Sequence, residues 1–229
     1  EELEPQGASS DDPETDDGGE KDAQEEIRRR FLCRVIRGGN LASQQSVKLE
    51  NKAVYGTLLQ TSDYENLSIA GELGITGVMQ PFVRSGEDVR GVREALNDCG
   101  LDARIFAKIE SQTGVKNLAS IMEEADVIVI ARGDLGNTLP LWELPRLQKE
   151  IAAKCRARGK PFMVVTQMLY TMEHSAGPTR AEVSDIFNAV LDGAASLMVT
   201  GETAVGEYPA EVIRYLVNTV REAEAYAAQ

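Results

Sequence analysis

Four polar side chains stand at the ends of short apolar runs between residues 108 and 166 of the sequence. Lys108 and Glu110 end one run, Asp134 follows the next, and Thr166 ends a third. Two carboxylates beside one lysine suit a hard divalent cation such as Mg²⁺, with water and substrate oxygens completing its shell. The lysine would then balance an anionic group on the substrate. These residue types favour phosphoryl or enolate chemistry, in which charge placement lowers the barrier.

The histidine content excludes several other mechanisms. His174 is the only histidine, which excludes multi-histidine metal sites and argues against Ser-His-Asp and Cys-His arrangements. Because it lies in the turn-like segment EHSAGPT, we predict a surface loop residue. The glycines at 201 and 206 have the spacing of a phosphate loop, but Glu207-Tyr208 stand where Lys and Ser or Thr are needed.

The charge is concentrated at the amino end. Residues 1–26 hold twelve acids and one base, a net of −11, which leaves only −2 of the total −13 for the rest. Without an aromatic residue, this segment is predicted to be an acidic, disordered tail. The nearly neutral remainder argues against nucleic-acid binding, which needs a basic surface.

The cysteines and hydropathy indicate the compartment. Cys33, Cys99 and Cys155 are far apart and odd in number, which favours neither a disulfide scaffold nor a zinc site. No apolar run approaches the ~20 residues of a membrane span, and no signal peptide opens the sequence. We therefore expect a cytoplasmic protein that does not contact membranes.

Strand and helix patterns alternate along the chain. Each of five apolar, β-branched runs precedes a polar turn and then a stretch with helical periodicity. The predicted strands are Ile75–Val83, Ala103–Ile109, Val127–Ala131, Phe162–Thr166 and Ser196–Thr200. The predicted helices are Glu87–Asp98, Val115–Glu124, Leu144–Arg158, Ala181–Leu191 and Ala210–Ala227.

This alternation predicts an α/β fold with a buried parallel sheet. The strand spacing is close to the ~31 residues per βα unit of an eight-unit barrel. A doubly wound sheet is the rival, but the Gly-rich fingerprint usual after its first strand is absent from the sequence. We predict a partial TIM (β/α)8-type barrel of about five βα units, with the polar strand ends at its active face.

Five motifs carry a family resemblance. The segments AKIESQTGV, IARGDLG, GKPFMVVTQML, GPTRAEVSDIFNAVLDGA and VTGETAVGEYPAE resemble, in order and spacing, the active-site motifs of pyruvate kinase. The resemblance is strong from about Gly74 to Tyr226. Upstream, CRVIRGGNLASQQSVKLEN is similar to the return from that family's lid domain, so 27–50 is interpreted as a lid remnant and 51–229 as partial catalytic barrel.

The resemblance implies roles for individual residues. Glu110 and Asp134 would bind Mg²⁺ or Mn²⁺, and Lys108 would stabilise the phosphoryl group in transfer. The backbone at Gly133 and Asp134, where a helix would begin, would bind the substrate carboxylate. Thr166 would assist protonation of the enolpyruvate. The implied reaction is phosphoryl transfer from phosphoenolpyruvate to ADP, giving pyruvate and ATP.

The resemblance covers only the fourth to the eighth strand of the family's barrel. It implies K⁺ as a cofactor, but the ligands for that ion belong to strands without a counterpart in this sequence. We therefore expect low activity from this chain alone, unless a complementing chain supplies the missing strands. The segment GPTRAE resembles a region that contributes to a subunit interface in the family, which implies a homo-oligomer. Two alternatives stay open: a non-catalytic half-barrel that acts in binding or assembly, and another Mg²⁺-dependent aldolase or lyase that forms a pyruvate enolate.

Overall fold

The five apolar runs form one sheet of five parallel strands in the order β1-β2-β3-β4-β5. The computed structural model describes residues 34–35, 38–39 and 58–229, so the predicted tail and most of the lid remnant lie outside the described residues. The strands belong to a compact unit, Tyr55–Gln229. They are β1 (Gly77–Gln80), β2 (Arg104–Ile109), β3 (Val127–Ala131), β4 (Phe162–Val165) and β5 (Ser196–Met198).

Nine α-helices and two short 3-10 helices connect or flank the strands in the described part of the chain. The α-helices are α1 (Thr61–Ala70), α2 (Gly86–Asp98), α3 (Gln112–Lys116), α4 (Leu118–Glu124), α5 (Arg132–Gly136), α6 (Leu144–Ala157), α7 (Arg180–Leu191), α8 (Gly201–Ala204) and α9 (Pro209–Ala227). The 3-10 helices are η1 (Leu141–Glu143) and η2 (Tyr170–Glu173).

The strand order confirms the partial barrel over the doubly wound sheet. Each strand pairs in parallel with the next one along the chain, whereas a doubly wound sheet reverses its order at a switch point. Parallel crossovers are almost always right-handed, so successive connections in one direction place their helices on one face. One core cluster joins apolar residues of α2, α4, α6, α7 and α9 to the same face of the sheet.

The opposite face of the sheet has its own smaller apolar cluster. Val129, Ala131 and Val165 are buried there and contact partly buried Phe106, Met163 and Met198. The alternate residues Ile128 and Ile130 point into the helical layer and are fully buried. All five residues of β3 are buried, as predicted for the centre of a parallel sheet covered on both faces.

The predicted helix Val115–Glu124 is wrong in one respect, because two helices occupy that region. They begin at Gln112 and Leu118, and Asn117 lies between them with φ −96° and ψ 12°. Its side-chain amide donates to the carbonyl oxygen of Arg84 at 2.8 Å. This tertiary hydrogen bond fixes a break that the apolar periodicity does not show.

A capping network fixes the start of α7. Thr179 and Glu182 form a reciprocal capping box, and Glu182 also accepts hydrogen bonds from the backbone N–H and hydroxyl of Thr171 at 2.8 and 2.6 Å. Burial alone would raise the pKa of the Glu182 carboxyl, but the hydrogen bonds from Thr171 and Thr179 outweigh it and hold the pKa below its ordinary value of 4.5. The network joins η2 to α7.

Glu182→Gln should lower the free energy of unfolding by about 1 kcal/mol at pH 7, as expected for a lost cap. Because the pKa of Glu182 is lower in the folded state, the contribution of its carboxylate to stability is present above pH 4.5. This contribution is lost as the pH falls through the folded-state pKa. Urea unfolding of both proteins between pH 3 and 7 measures the difference, with exposed Glu222→Gln as the control. A difference independent of pH would contradict this role.

Candidate active site

Lys108 and Glu110 form an ion pair at the carboxyl end of β2. Lys108 Nζ lies 2.6 Å from Glu110 Oε1, and the two side chains are 23% and 1% exposed. Residues two apart along a strand point to the same face, which brings these two side chains together. Glu110 Oε2 accepts the backbone N–H of Phe82 at 2.7 Å, which ties the loop after β1 to the end of β2.

One oxygen of Glu110 is left without a hydrogen bond. Oε1 is buried, and its contact with Lys108 is one of charge, since no donor in the described part of the chain meets it with hydrogen-bond geometry. A buried carboxylate oxygen normally has such a partner. This exception makes Glu110 Oε1 a candidate cation ligand.

Asp134 lies in the first turn of α5, three residues after the end of β3. Its side chain is exposed and makes no hydrogen bond or ion pair with another described residue. Since Ile109 pairs with Ile130, Glu110 and Asp134 leave neighbouring strands at the same sheet edge. The described residues contain no cluster of three or more His, Cys, Asp or Glu side chains that could hold a metal. A cation bound by Glu110 and Asp134 would thus need water or substrate oxygens as further ligands.

A pocket of about 460 Å³ opens beside α5. Of the predicted site residues it brings together Gly133, Asp134 and Thr166. Lys108 and Glu110 do not line it and form their own pair at the adjoining strand end. The predicted residues therefore occupy one edge of the sheet as two groups.

Gly133 and Thr166 make the closest contact in this pocket. A Cβ atom on Gly133 would lie 2.8 Å from Thr166 Cγ2, too close for either group to stay in place. The absence of a side chain thus lets the backbone of α5 approach the end of β4.

Gly133→Ala should therefore displace Thr166 and lower the free energy of unfolding by about 1–3 kcal/mol, the usual cost of forcing an extra group into a close contact. Urea unfolding of the variant and of the wild-type protein measures it. Gly136→Ala is the control, because a Cβ on Gly136 would meet only flexible leucine side chains. Gly100→Ala is unsuitable, because Gly100 has φ +67° and alanine would be strained there. Equal losses of stability in Gly133→Ala and Gly136→Ala would show that the contact with Thr166 does not require glycine at 133.

Strained backbone is concentrated at the strand ends. Among the described residues, the only non-glycine residues with positive φ are Phe82 (51°), Thr166 (79°) and Gln167 (54°). Phe82 follows β1 and the other two follow β4 directly. Such conformations cost about 1–3 kcal/mol each and cluster at functional sites. Sequence reasoning missed all three, because nothing in their residue types favours this conformation.

Two other polar residues near the strand ends, Glu202 and His174, lie outside the pocket beside α5. Glu202, in α8, is 2% exposed and accepts the N–H groups of Thr200 and Leu169 at 2.8 and 3.2 Å, so it joins the loops after β4 and β5. His174 has an 81% exposed side chain and contacts Glu207 at 3.1 Å, which confirms the predicted surface position. Neither side chain lines the pocket beside α5.

Comparison with known proteins decides the family. The sequence matches the profile described as pyruvate kinase, barrel domain, over residues 19–213. The chain belongs to the pyruvate kinase family. It is 42% identical to pyruvate kinase 2 of Saccharomyces cerevisiae over 194 residues, which is 85% of this chain and 38% of that protein.

Two further pyruvate kinases match the chain with similar identity and coverage. The chain is 42% identical to that of Schizosaccharomyces pombe over 197 residues (86% of this chain, 39% of that protein) and 40% identical to that of Leishmania mexicana over 200 residues (87% and 40%). It spans about two fifths of the length of these relatives. The five-stranded parallel sheet is thus part of a pyruvate kinase barrel. Among the described residues, no helix is long and apolar enough to cross a membrane.

Proposed function

We propose that this chain carries the divalent-metal and enolpyruvate part of a pyruvate kinase active site, which transfers a phosphoryl group from phosphoenolpyruvate to ADP and yields pyruvate and ATP. The observation that carries the proposal is the buried Glu110 carboxylate, which has one oxygen without a hydrogen bond and Lys108 Nζ 2.6 Å away. This arrangement suits a divalent cation and an anionic substrate better than a purely structural ion pair.

Each residue has a defined part in this proposal. Glu110 and Asp134 hold Mg²⁺ or Mn²⁺, which when bound supplies positive charge to the substrate oxygens. Lys108 extends its ammonium group from the carboxyl end of β2 and balances the negative charge of the phosphoryl group in transfer. Its 23% exposure leaves it accessible to a ligand.

The pocket beside α5 would hold the enolpyruvate portion. The first turn of α5 leaves backbone N–H groups without partners inside the helix, and those of Gly133 and Asp134 would bind the carboxylate. Thr166 lines the same pocket, and its hydroxyl would assist transfer of a proton to the methylene carbon of the enolpyruvate. Strain at Thr166 supports a role that needs one fixed side-chain direction.

The partners and surroundings follow from the same proposal. Phosphoenolpyruvate, pyruvate, ADP and ATP are the small-molecule partners, and K⁺ is a further cofactor. The chain associates with copies of itself or with a complementing chain, in a cytoplasmic setting. Native mass spectrometry on the purified protein distinguishes a homo-oligomer from a complex with a second polypeptide.

A lactate-dehydrogenase-coupled assay with phosphoenolpyruvate and ADP tests the reaction, with and without Mg²⁺. Any turnover should require the metal and be lost in Lys108→Met. Binding of phosphoenolpyruvate by the 229-residue chain is measured alongside by calorimetry. Turnover that persists without divalent metal, or aldol cleavage in place of phosphoryl transfer, would contradict the proposal.

A further inference from the structure

Arg132 links the pocket beside α5 to two other elements. Its side chain, only 12% exposed, begins at the first residue of α5 and reaches the turn after β4 and helix α7. Nε and Nη2 donate to the carbonyl oxygen of Thr166 at 3.2 and 2.7 Å. Nη2 also lies 3.2 Å from the carbonyl oxygen of Gln167 and 3.0 Å from Met168 Sδ.

The two carbonyl groups that receive these hydrogen bonds belong to the two strained residues. Thr166 and Gln167 both have positive φ, so each would gain by relaxing to an ordinary conformation. Hydrogen bonds from a buried guanidinium to both carbonyl oxygens oppose that relaxation, since a rotated peptide would leave the charged donors unsatisfied. The strained turn is therefore held from the neighbouring strand end.

The guanidinium group is itself fixed. Nη1 lies 2.5 Å from Asp185 Oδ2 on α7, and that carboxylate is 33% exposed. A planar guanidinium with a rigid set of donors can contact Asp185 and two backbone carbonyl groups at once, whereas a lysine ammonium presents a single charge point. This division of the donors explains why an arginine stands at this position.

We infer that Arg132 is a positioning residue that holds the Thr166 hydroxyl in the direction the enolpyruvate requires. The inference rests on the proposed function for its chemical purpose, but the positioning itself is a property of the chain without substrate. Arg132 acts through the backbone of Thr166 and Gln167. Asp185 acts one step further away, through Arg132.

Backbone NMR of the 229-residue chain tests the positioning in the absence of substrate. A positive φ gives a strong NOE between the amide and α protons of the same residue, and we expect it at Thr166 and Gln167 in the wild-type protein. Arg132→Lys and Arg132→Gln should weaken both NOEs while the signals of β3 and β4 stay unchanged. Arg146→Lys is the matched control, because Arg146 forms exposed ion pairs on α6.

Unchanged NOEs in folded Arg132 variants would overturn the inference. If both variants fail to fold, Asp185→Asn decides, because it loosens the anchor of Nη1 and leaves every donor of Arg132 in place. It should weaken the same two NOEs to a smaller extent, and no change there would overturn the inference as well.

Exchange of the methyl protons of pyruvate in D₂O, with Mg²⁺ present, supplies the functional readout. Arg132→Lys should slow exchange by about 10- to 100-fold while the pyruvate concentration for half-maximal rate changes less than about threefold. A loss of pyruvate binding with an unchanged maximal rate would contradict positioning. If the wild-type chain shows no exchange, the NMR result alone decides whether Arg132 holds the turn.

Discussion

Glu110→Gln and Asp134→Asn should each lower the affinity of the chain for Mn²⁺ by at least about 100-fold. Each change removes one of the two carboxylates, and losses of about 10- to 100-fold already follow from disturbing the groups that merely orient a metal ligand. Calorimetric titration with Mn²⁺ measures the affinity. We expect each variant to lose almost all Mn²⁺ binding. The described residues contain no cluster of three or more acidic, His or Cys side chains that could hold the ion instead.

The Glu110 variant should keep its fold. A glutamine at 110 still offers an oxygen to the N–H of Phe82, which donates to Glu110 Oε2 at 2.7 Å. The matched controls are Glu224→Gln and Asp102→Asn, two exposed positions away from the carboxyl ends of the strands. If Glu110→Gln and Asp134→Asn bind Mn²⁺ as tightly as these controls, the cation site is elsewhere.

Lys108→Met should lower the free energy of unfolding by about 3 kcal/mol, because removing one partner of a buried ion pair leaves the other charge uncompensated. Glu110 is 1% exposed and has a single hydrogen bond, to Phe82, so its charge has little other stabilisation. We take the lower end of the usual range since Lys108 itself is 23% exposed. Urea unfolding without divalent metal gives the value.

A double-mutant cycle separates the ion pair from simple loss of a side chain. Lys108→Met combined with Glu110→Gln should recover most of the lost stability, because no uncompensated charge is then buried. Lys154→Met, an exposed lysine in the last turn of α6, is the control and should change stability by less than about 1 kcal/mol. Additive effects of the Lys108 and Glu110 substitutions would show that the two side chains do not interact.

The strands and long helices could be predicted from the sequence because their signals are local. Val127–Ala131 is the predicted strand and the observed one, since a continuous apolar run can be buried on both faces only in a central parallel strand. The apolar stripe of Val89, Val92 and Leu96 likewise indicated α2 within one residue of its observed start. The strand-end position of Lys108, Glu110, Asp134 and Thr166 follows from these elements alone.

The elements that complete the site have no local signal. Helix α5 has five residues, which is less than two turns, so no periodicity can identify it. The hydrogen bonds of Arg132 join residues 34 to 53 positions apart, and that of Glu110 joins residues 28 apart. The carbonyl group or N–H that lies opposite a side chain depends on how the strands pair in space. A pattern of residue types along the sequence does not contain this information.

We propose that the strand-end carboxylates and the pocket beside α5 form one site for a divalent cation and an enolpyruvate. Binding at a shared site must be reciprocal, so each ligand should tighten the other by the same factor. Electron paramagnetic resonance of Mn²⁺, titrated into the chain with and without phosphoenolpyruvate, measures this directly. We predict one Mn²⁺ per chain, bound about tenfold or more tightly with phosphoenolpyruvate present. An Mn²⁺ affinity that phosphoenolpyruvate leaves unchanged would contradict the account.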